Sequence, residues 1–296
     1  MRYLTDHRAA VRADLNSLLA DTKSVISVGM MYVGQAILSS ASSGTGHIAA
    51  YAKGEDYHAV IRRKLEALAA RLSEYAEFEW RACVDTAPLL ERSIARQAGL
   101  GWIGKNTCLI NQEKGSYFLI GELLTTLEIA PDAPPPDRCG ACTRCIDACP
   151  TAAIVPSPDG GFELDARRCI SYFTIESRGT VPEEYRAPIG NNVFGCDICQ
   201  DVCPWNREAE TSESAVSLAD LAALTETQFR ECFRHTAVSR TKYSGFLRNV
   251  AIAMGNSGMK ELREPLERMA QGDDELVAEH ARWALERLPR DPARLT

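Results

Sequence analysis

The chain has 296 residues, 45% of them apolar and 25% charged, with a formal net charge of −7. That length suits one large domain or two modest ones, and the composition is globular rather than disordered or collagenous; the negative balance disfavours a chain-wide nucleic-acid coat. No uncharged apolar run approaches the ~18 residues that cross a bilayer, and the charged opening MRYLTDHRAAVRAD lacks the apolar segment of a secretory signal, so the expected location is the cytoplasm, away from membranes.

Residues 24–33, SVISVGMMYV, are apolar and β-branched at their start and read as a buried strand. Residues 55–75 place Val60, Leu65, Leu68 and Leu72 at helical spacing with charges opposite, an amphipathic helix. Near its start Asp56-Tyr57-His58 matches the opening of the cobalamin signature D-x-H-x-x-G, but Ile61 stands where the glycine belongs. A histidine-ligated cobalamin is therefore unsupported by motif, and His58 reads as structural or pocket-lining.

FEWRACVD (78–85) alternates as a strand and ends on Asp85. A helix follows, with Pro88 suited to its first turn, Gly99 to its end, and Asp85 or Thr86 as its cap. The functional alternative for Asp85 is an acid in an apolar pocket, holding a proton to donate because burial disfavours its charge. GLGWIGKNT (99–107) is glycine-rich, yet it is neither a phosphate loop nor a dinucleotide fingerprint. Residues 106–129 suggest a hairpin turning at Glu113 to Ser116, and the proline-rich stretch 130–137 reads as a connector.

Eight of the eleven cysteines fall between Cys139 and Cys203. A disulfide framework needs an oxidising compartment and a short chain, so metal is the better reading. CGACTRCIDACP supplies Cys139, Cys142, Cys145 and Cys149 before Pro150, the C-x2-C-x2-C-x3-C-P run of two-cluster ferredoxins, whose fourth cysteine serves the other cluster. CDICQDVCP adds Cys196, Cys199 and Cys203, and Cys169 stands in for the missing first cysteine. Crossed ligation then assigns Cys139, Cys142, Cys145 and Cys203 to one [4Fe–4S] cluster and Cys149, Cys169, Cys196 and Cys199 to the other. Cys83, Cys108 and Cys232 read as buried, inert thiols.

From about Leu218 the pattern is helical, with segments near 218–233, 243–255, 259–271 and 273–288, the last two resembling one unit of an α-helical repeat. Between Arg230 and Lys260 stand six basic residues (Arg230, Arg234, Arg240, Lys242, Arg248, Lys260) against the single acid Glu231. A solvated helix face and a phosphate-binding face both fit this excess.

Taken in order, VDTAPLLERSIARQAGLGWIGKNTCLIN, GSYFLIGELLTT, CGACTRCIDACPTAAI, RRCISYFTIE, FGCDICQDVCPWN and LRNVAIAMGN resemble the epoxyqueuosine reductases over nearly the whole chain. Members of that family usually carry some tens of residues before the segment that opens here. The resemblance implies an α+β protein with a cobalamin-binding α/β domain (1–130), a bacterial-ferredoxin-like module with two [4Fe–4S] clusters (131–210) and an α-helical, HEAT-like region (211–296). It implies a monomeric oxidoreductase that reduces epoxyqueuosine to queuosine in the tRNA anticodon loop, with electrons from an external flavodoxin or ferredoxin system. Asp85 maps to the family's proton donor. Corrin contacts are expected from Tyr57, His58, Asp85, Lys105, Thr107, Ile120, Gly121, Glu122, Ser171, Tyr172 and Thr174. For tRNA they are expected from Arg240, Lys242 and Arg248. The rival readings are a reductive dehalogenase-like enzyme acting on a small molecule, and a plain electron-transfer ferredoxin.

Overall fold

The structure, a computed structural model, describes residues 8–35, 44–209, 211–212 and 215–289; the first seven residues of the charged opening lie outside the described residues. Two compact units emerge. One takes 8–33, 55–143 and 203–209, and the other takes the rest. The chain thus passes from unit to unit within the cysteine-rich stretch, where the sequence suggests consecutive domains. Among the described residues no helix is long and apolar enough to cross a membrane.

The first unit contains α1 (Arg8–Ala13), β1 (Ser24–Met31), α2 (Tyr57–Leu72), β2 (Trp80–Cys83), α3 (Glu91–Gln97), β3 (Trp102–Ile103), β4 (Leu109–Ile110) and β5 (Phe118–Thr125). β5 is the centre of an antiparallel sheet ordered β1–β5–β2, with Glu122 opposite both Ser27 and Cys83. Side chains alternate across such a strand. Gly121 therefore faces α2, where an added Cβ would lie 2.4 Å from Ile61 Cγ2, so only glycine lets helix and sheet approach this closely. The opposite face buries Cys83, Leu89 and Leu124 against Val25, Ala87 and Ile94.

The hairpin expected over 106–129 does not form. β4 pairs with β3, and β5 is claimed on both edges by β1 and β2; a single bridge, Asn111 to Gly115, is the remnant. A strand as apolar as β5 is worth most at the sheet's centre, where both faces are covered. The cap expectation also fails: α3 starts only at Glu91, behind Leu90, with no side-chain cap.

The second unit contains α4 (Arg144–Asp147), the hairpin β6 (Ile154–Pro156) and β7 (Phe162–Leu164), α5 (Glu183–Arg186), β8 (Asn192–Phe194), α6 (Ile198–Asp201), α7 (Leu218–Ala223), α8 (Glu226–Phe233), α9 (Lys242–Ser257), α10 (Arg263–Ala270) and α11 (Glu275–Arg287). A short strand, Thr45–Ile48, lies between β8 and Val216–Ser217. The helix expected over 218–233 is broken at Leu224–Thr225, because Thr225 and Gln228 form a reciprocal capping box that starts α8 afresh.

α9 is the buried axis of this unit, its side chains enclosed from Gly245 to Gly255. An added Cβ at Gly255 would meet Ala284 Cβ of α11 at 2.7 Å. Asn249 Nδ2 donates to the carbonyls of Thr174 and Val193, both at 2.8 Å. Arg248, only 1% exposed, donates to the carbonyls of Phe173 (2.5 Å), Ser177 (3.0 Å) and Gly179 (2.7 Å). Burial pushes its guanidinium down to about 10, so it stays charged at neutral pH. Arg248→Met strands these carbonyls without a donor and should cost about 3 kcal/mol, read as a lowered urea midpoint.

Candidate active site and cluster ligands

Two side-chain groups in the first unit carry chemistry. In the first, Asp56 ends the loop before α2 and caps it, accepting the His58 N–H at 3.0 Å. The same Oδ1 lies 2.6 Å from His58 Nδ1, and His58 Nε2 lies 3.1 Å from Asp85 Oδ2. The ring is further fixed by stacking on buried Tyr57, centroids 4.1 Å apart. The Asp85 hydrogen bond, followed by that of Asp56, raises the imidazole above its ordinary range against the opposing effect of burial. The imidazolium can donate from both nitrogens, one to each carboxylate.

Asp85 itself departs from the apolar-pocket expectation. Its side chain is 41% exposed and faces the His58 ring, a cation whenever that ring is protonated. Its backbone has φ 46°, at the centre of a tight turn closed by the Thr86 N–H to the Val84 carbonyl at 2.5 Å. A non-glycine residue there costs about 1–3 kcal/mol, and such strain persists only where neighbours over-determine it. Glu91 Oε1 is one such neighbour, accepting the Asp85 N–H at 2.5 Å. With both ring nitrogens of His58 engaged by carboxylates, His58 would line a corrin pocket rather than bind its metal.

The second group is the thiols. Cys139, Cys142 and Cys108 lie within electrostatic reach of Cys203. In the second unit Cys149, Cys169 and Cys196 form a corresponding set, and Cys199 sits on α6 and Cys145 on α4. Burial pushes the thiols of Cys169, Cys196 and Cys203 up, so thiolates there need compensation. Backbone N–H groups supply part of it: Ala153 to Cys149 Sγ at 3.3 Å, Ser171 and Tyr172 to Cys169, Ile198 to Cys196, and Trp205 to Cys203. Among the described residues no three such side chains converge on one point as around a single ion. Four thiolates on four different irons of a cube stand further apart than that. Soft, half-buried thiols ringed by amides suit iron–sulfur ligation.

The remaining sequence candidates scatter. Lys105 Nζ donates to the carbonyls of Gly140 (2.7 Å) and Cys142 (2.9 Å), bracing the first cysteine loop. Thr107, at φ 62°, takes Arg92 on its carbonyl and hydroxyl. Ile120 is half-buried, Gly121 lies under α2, and Glu122 is fully buried beside Glu91. Ser171 and Tyr172 serve Cys169, while the buried Thr174 hydroxyl donates to Ile170 O and accepts the Gly195 N–H.

Of the three arginine and lysine candidates for tRNA, Arg248 is withdrawn: buried and saturated by carbonyls, it cannot reach a phosphate. Arg240 is paired with Glu176 at 2.8 Å. Lys242 lines a groove with Arg230, Arg234, Phe229, Tyr243 and the acids Glu226 and Glu231, Arg230 being paired with Glu226. The two arginines belong to the basic run visible in the sequence, but the distinction between groove and core within that run is tertiary. Of the extra thiols, Cys83 is buried as expected, Cys108 is only partly so, and Cys232 is exposed, because it falls on the outer side of α8.

A family model described as epoxyqueuosine reductase QueG, DUF1730, matches residues 12–86, and a 4Fe-4S double cluster binding domain matches residues 138–206. The epoxyqueuosine reductase of Xanthomonas campestris is 41% identical over 96% of this chain and 84% of its own. Among solved structures, an epoxyqueuosine reductase with a tRNA-Tyr epoxyqueuosine-modified stem loop superposes with a TM-score of 0.84 at 31% identity, covering 94% of this chain and 76% of that one. The Bacillus subtilis enzyme, with its catalytic aspartate loop swung out of the active site, gives a TM-score of 0.85 at 30% identity, over 96% and 78% of the two chains.

Proposed function

The chain belongs to the epoxyqueuosine reductase family, and from that premise we propose that it reduces epoxyqueuosine to queuosine in the anticodon loop of tRNA, the last step of queuosine biosynthesis. The observation that carries this reading is the Asp56–His58–Asp85 chain, a proton source ending on a half-exposed carboxyl. The protein would work in the cytoplasm as a monomer, drawing electrons from an external donor such as a flavodoxin or ferredoxin. Cys139, Cys142, Cys145 and Cys203 would hold one [4Fe–4S] cluster and Cys149, Cys169, Cys196 and Cys199 the other, and their surroundings would tune its potential. When bound, cobalamin would supply the low-potential electrons for breaking the carbon–oxygen bond.

The chain's own residues manage the proton. The epoxide oxygen leaves as water, which takes two electrons and two protons, and both protons reach it through the Asp85 carboxyl. After each transfer His58 Nε2 recharges Asp85 Oδ2 along their hydrogen bond and is itself reprotonated from solvent, while Asp56 holds the opposite nitrogen and fixes the ring. Because the Bacillus subtilis relative has its catalytic aspartate loop swung out, we read the Asp85 turn as an element with two positions.

The groove of Arg230, Arg234 and Lys242 is the proposed phosphate contact, with α10 and α11 as a HEAT-like pair beside it in the sequence. Neutralising Arg234 and Lys242 to glutamine should weaken binding of an anticodon stem-loop and flatten its log–log salt slope by roughly 0.7–0.9 per lost phosphate contact. Filter binding at several salt concentrations measures this; an unchanged slope removes the groove from the interface.

The deciding experiment reconstitutes the protein anaerobically with iron, sulfide and cobalamin, then follows nucleosides of epoxyqueuosine-containing tRNA by mass spectrometry. Queuosine formation is expected. A fully loaded protein that leaves the epoxide intact yet reduces a small organohalide would favour the dehalogenase-like alternative.

A further inference from the structure

Behind the Asp85 turn lies a pair of carboxyls that the scheme above leaves without a role. Glu91, the first residue of α3, accepts the Asp85 backbone N–H at 2.5 Å. Glu122, 0% exposed on the central strand β5, lies against Glu91. No N–H or O–H donor of another described residue reaches either Glu122 oxygen. The groups around the pair are Cys83 of β2 and Ser27 of β1, both opposite Glu122 in the sheet, with Asp85 and His58 beyond Glu91. A buried acid pair with no cation of its own is expensive to keep. Glu91 turns outward to the backbone of the residue proposed to deliver the proton.

We propose that Glu91, buttressed by Glu122, is a positioning residue that latches the Asp85 turn in its acid-presenting conformation. This rests on the reading of Asp85 as the proton donor. The turn holds Asp85 at φ 46°, and two side chains tie it down from opposite sides, His58 on its carboxylate and Glu91 on its N–H. Removing the Glu91 acceptor leaves the N–H without that partner and lets the turn relax away from His58. Burial raises both glutamates; the Asp85 charge adds to it at Glu91, raised to about 7, and the Glu91 charge adds to it at Glu122, raised to about 9. Glu122 therefore keeps a proton at neutral pH and faces Glu91 as a neutral acid, which spares the pair like-charge repulsion.

The test compares Glu91→Leu, which deletes the acceptor, with Glu91→Gln, which keeps an amide oxygen for the Asp85 N–H. Should leucine give no soluble protein, Glu91→Met replaces it. In the cluster- and corrin-loaded enzyme, the leucine variant should lose roughly 10²-fold in kcat, the scale of an ångström-size misplacement. KM for the modified stem-loop and the iron content should hold, and glutamine should recover most of the loss. The second readout needs no turnover. In the full chain carrying clusters but no corrin, the ¹⁵N-imidazole titration of His58 should move to lower pH in the leucine variant, since the Asp85 hydrogen bond is the largest cause of its elevation. Wild-type kcat in Glu91→Leu, equal impairment in both variants, or an unmoved His58 titration would each overturn the latch. Should the wild-type protein make no queuosine at all, the functional reading falls, while the His58 titration still decides whether Glu91 holds the turn.

Discussion

Replacing Asp85 with asparagine should lower turnover of epoxyqueuosine-containing tRNA by about 10²–10⁴-fold, the range that a positioned general acid contributes. Iron content and stem-loop affinity should stay as in the wild type, because Asp85 is no cluster ligand in the proposed assignment and lies outside the basic groove. Single-turnover kinetics with pre-reduced enzyme would measure the effect on the chemical step. Full turnover by the asparagine variant would remove Asp85 from the mechanism. The pH profile is an independent check. His58 is raised above its ordinary range chiefly by Asp85, so the protonated dyad is populated below that elevated value and lost above it. Activity should therefore be retained on the acid side of the shifted His58 titration and decline as pH rises past it. In Asp85→Asn the main cause of the elevation is gone, and the His58 titration should return toward lower pH.

The second large effect concerns crossed ligation. If Cys203 serves the same cluster as Cys142, the double variant Cys142→Ala/Cys203→Ala should retain about four of eight irons, since it cripples one cube and spares the other. Cys196→Ala/Cys203→Ala, whose members are neighbours in sequence, should lose nearly all of them, because each alanine strikes a different cube. An uncrossed arrangement predicts the reverse order. Iron and sulfide analysis with electron paramagnetic resonance of the reduced proteins reads the difference directly. The placement of Cys203 with Cys139 and Cys142, and of Cys149 with Cys169 and Cys196, supports the crossed order.

Much of this chemistry was legible in the one-dimensional chain because it depends on local spacing. Thiolates two residues apart curl round a cube whatever surrounds them, so Cys139, Cys142 and Cys145 announce a cluster without help from the fold. The ordered motifs around them carry the family, and Asp85 with it. The long apolar segment at 118–125 likewise had to be a strand, because it buries on both faces.

What lay beyond the sequence was partnership between residues far apart. Asp85 looks like a helix cap when only its neighbours are considered. Its carboxyl instead goes to a histidine 27 residues earlier, brought there by α2, and its N–H goes to Glu91. Arg248 looks like a phosphate contact because it sits in a basic run, yet helical rotation turns it inward, where three carbonyls take the place of water around it. β5 rejects the nearby hairpin partner for two distant strands, since a central position covers both its faces. Residue types and short spacings determined which chemistry the protein can hold. Only packing decided which charges face solvent, which are buried with partners, and which acid stands next to a proton source, because burial and hydrogen-bond direction are properties of the folded surface.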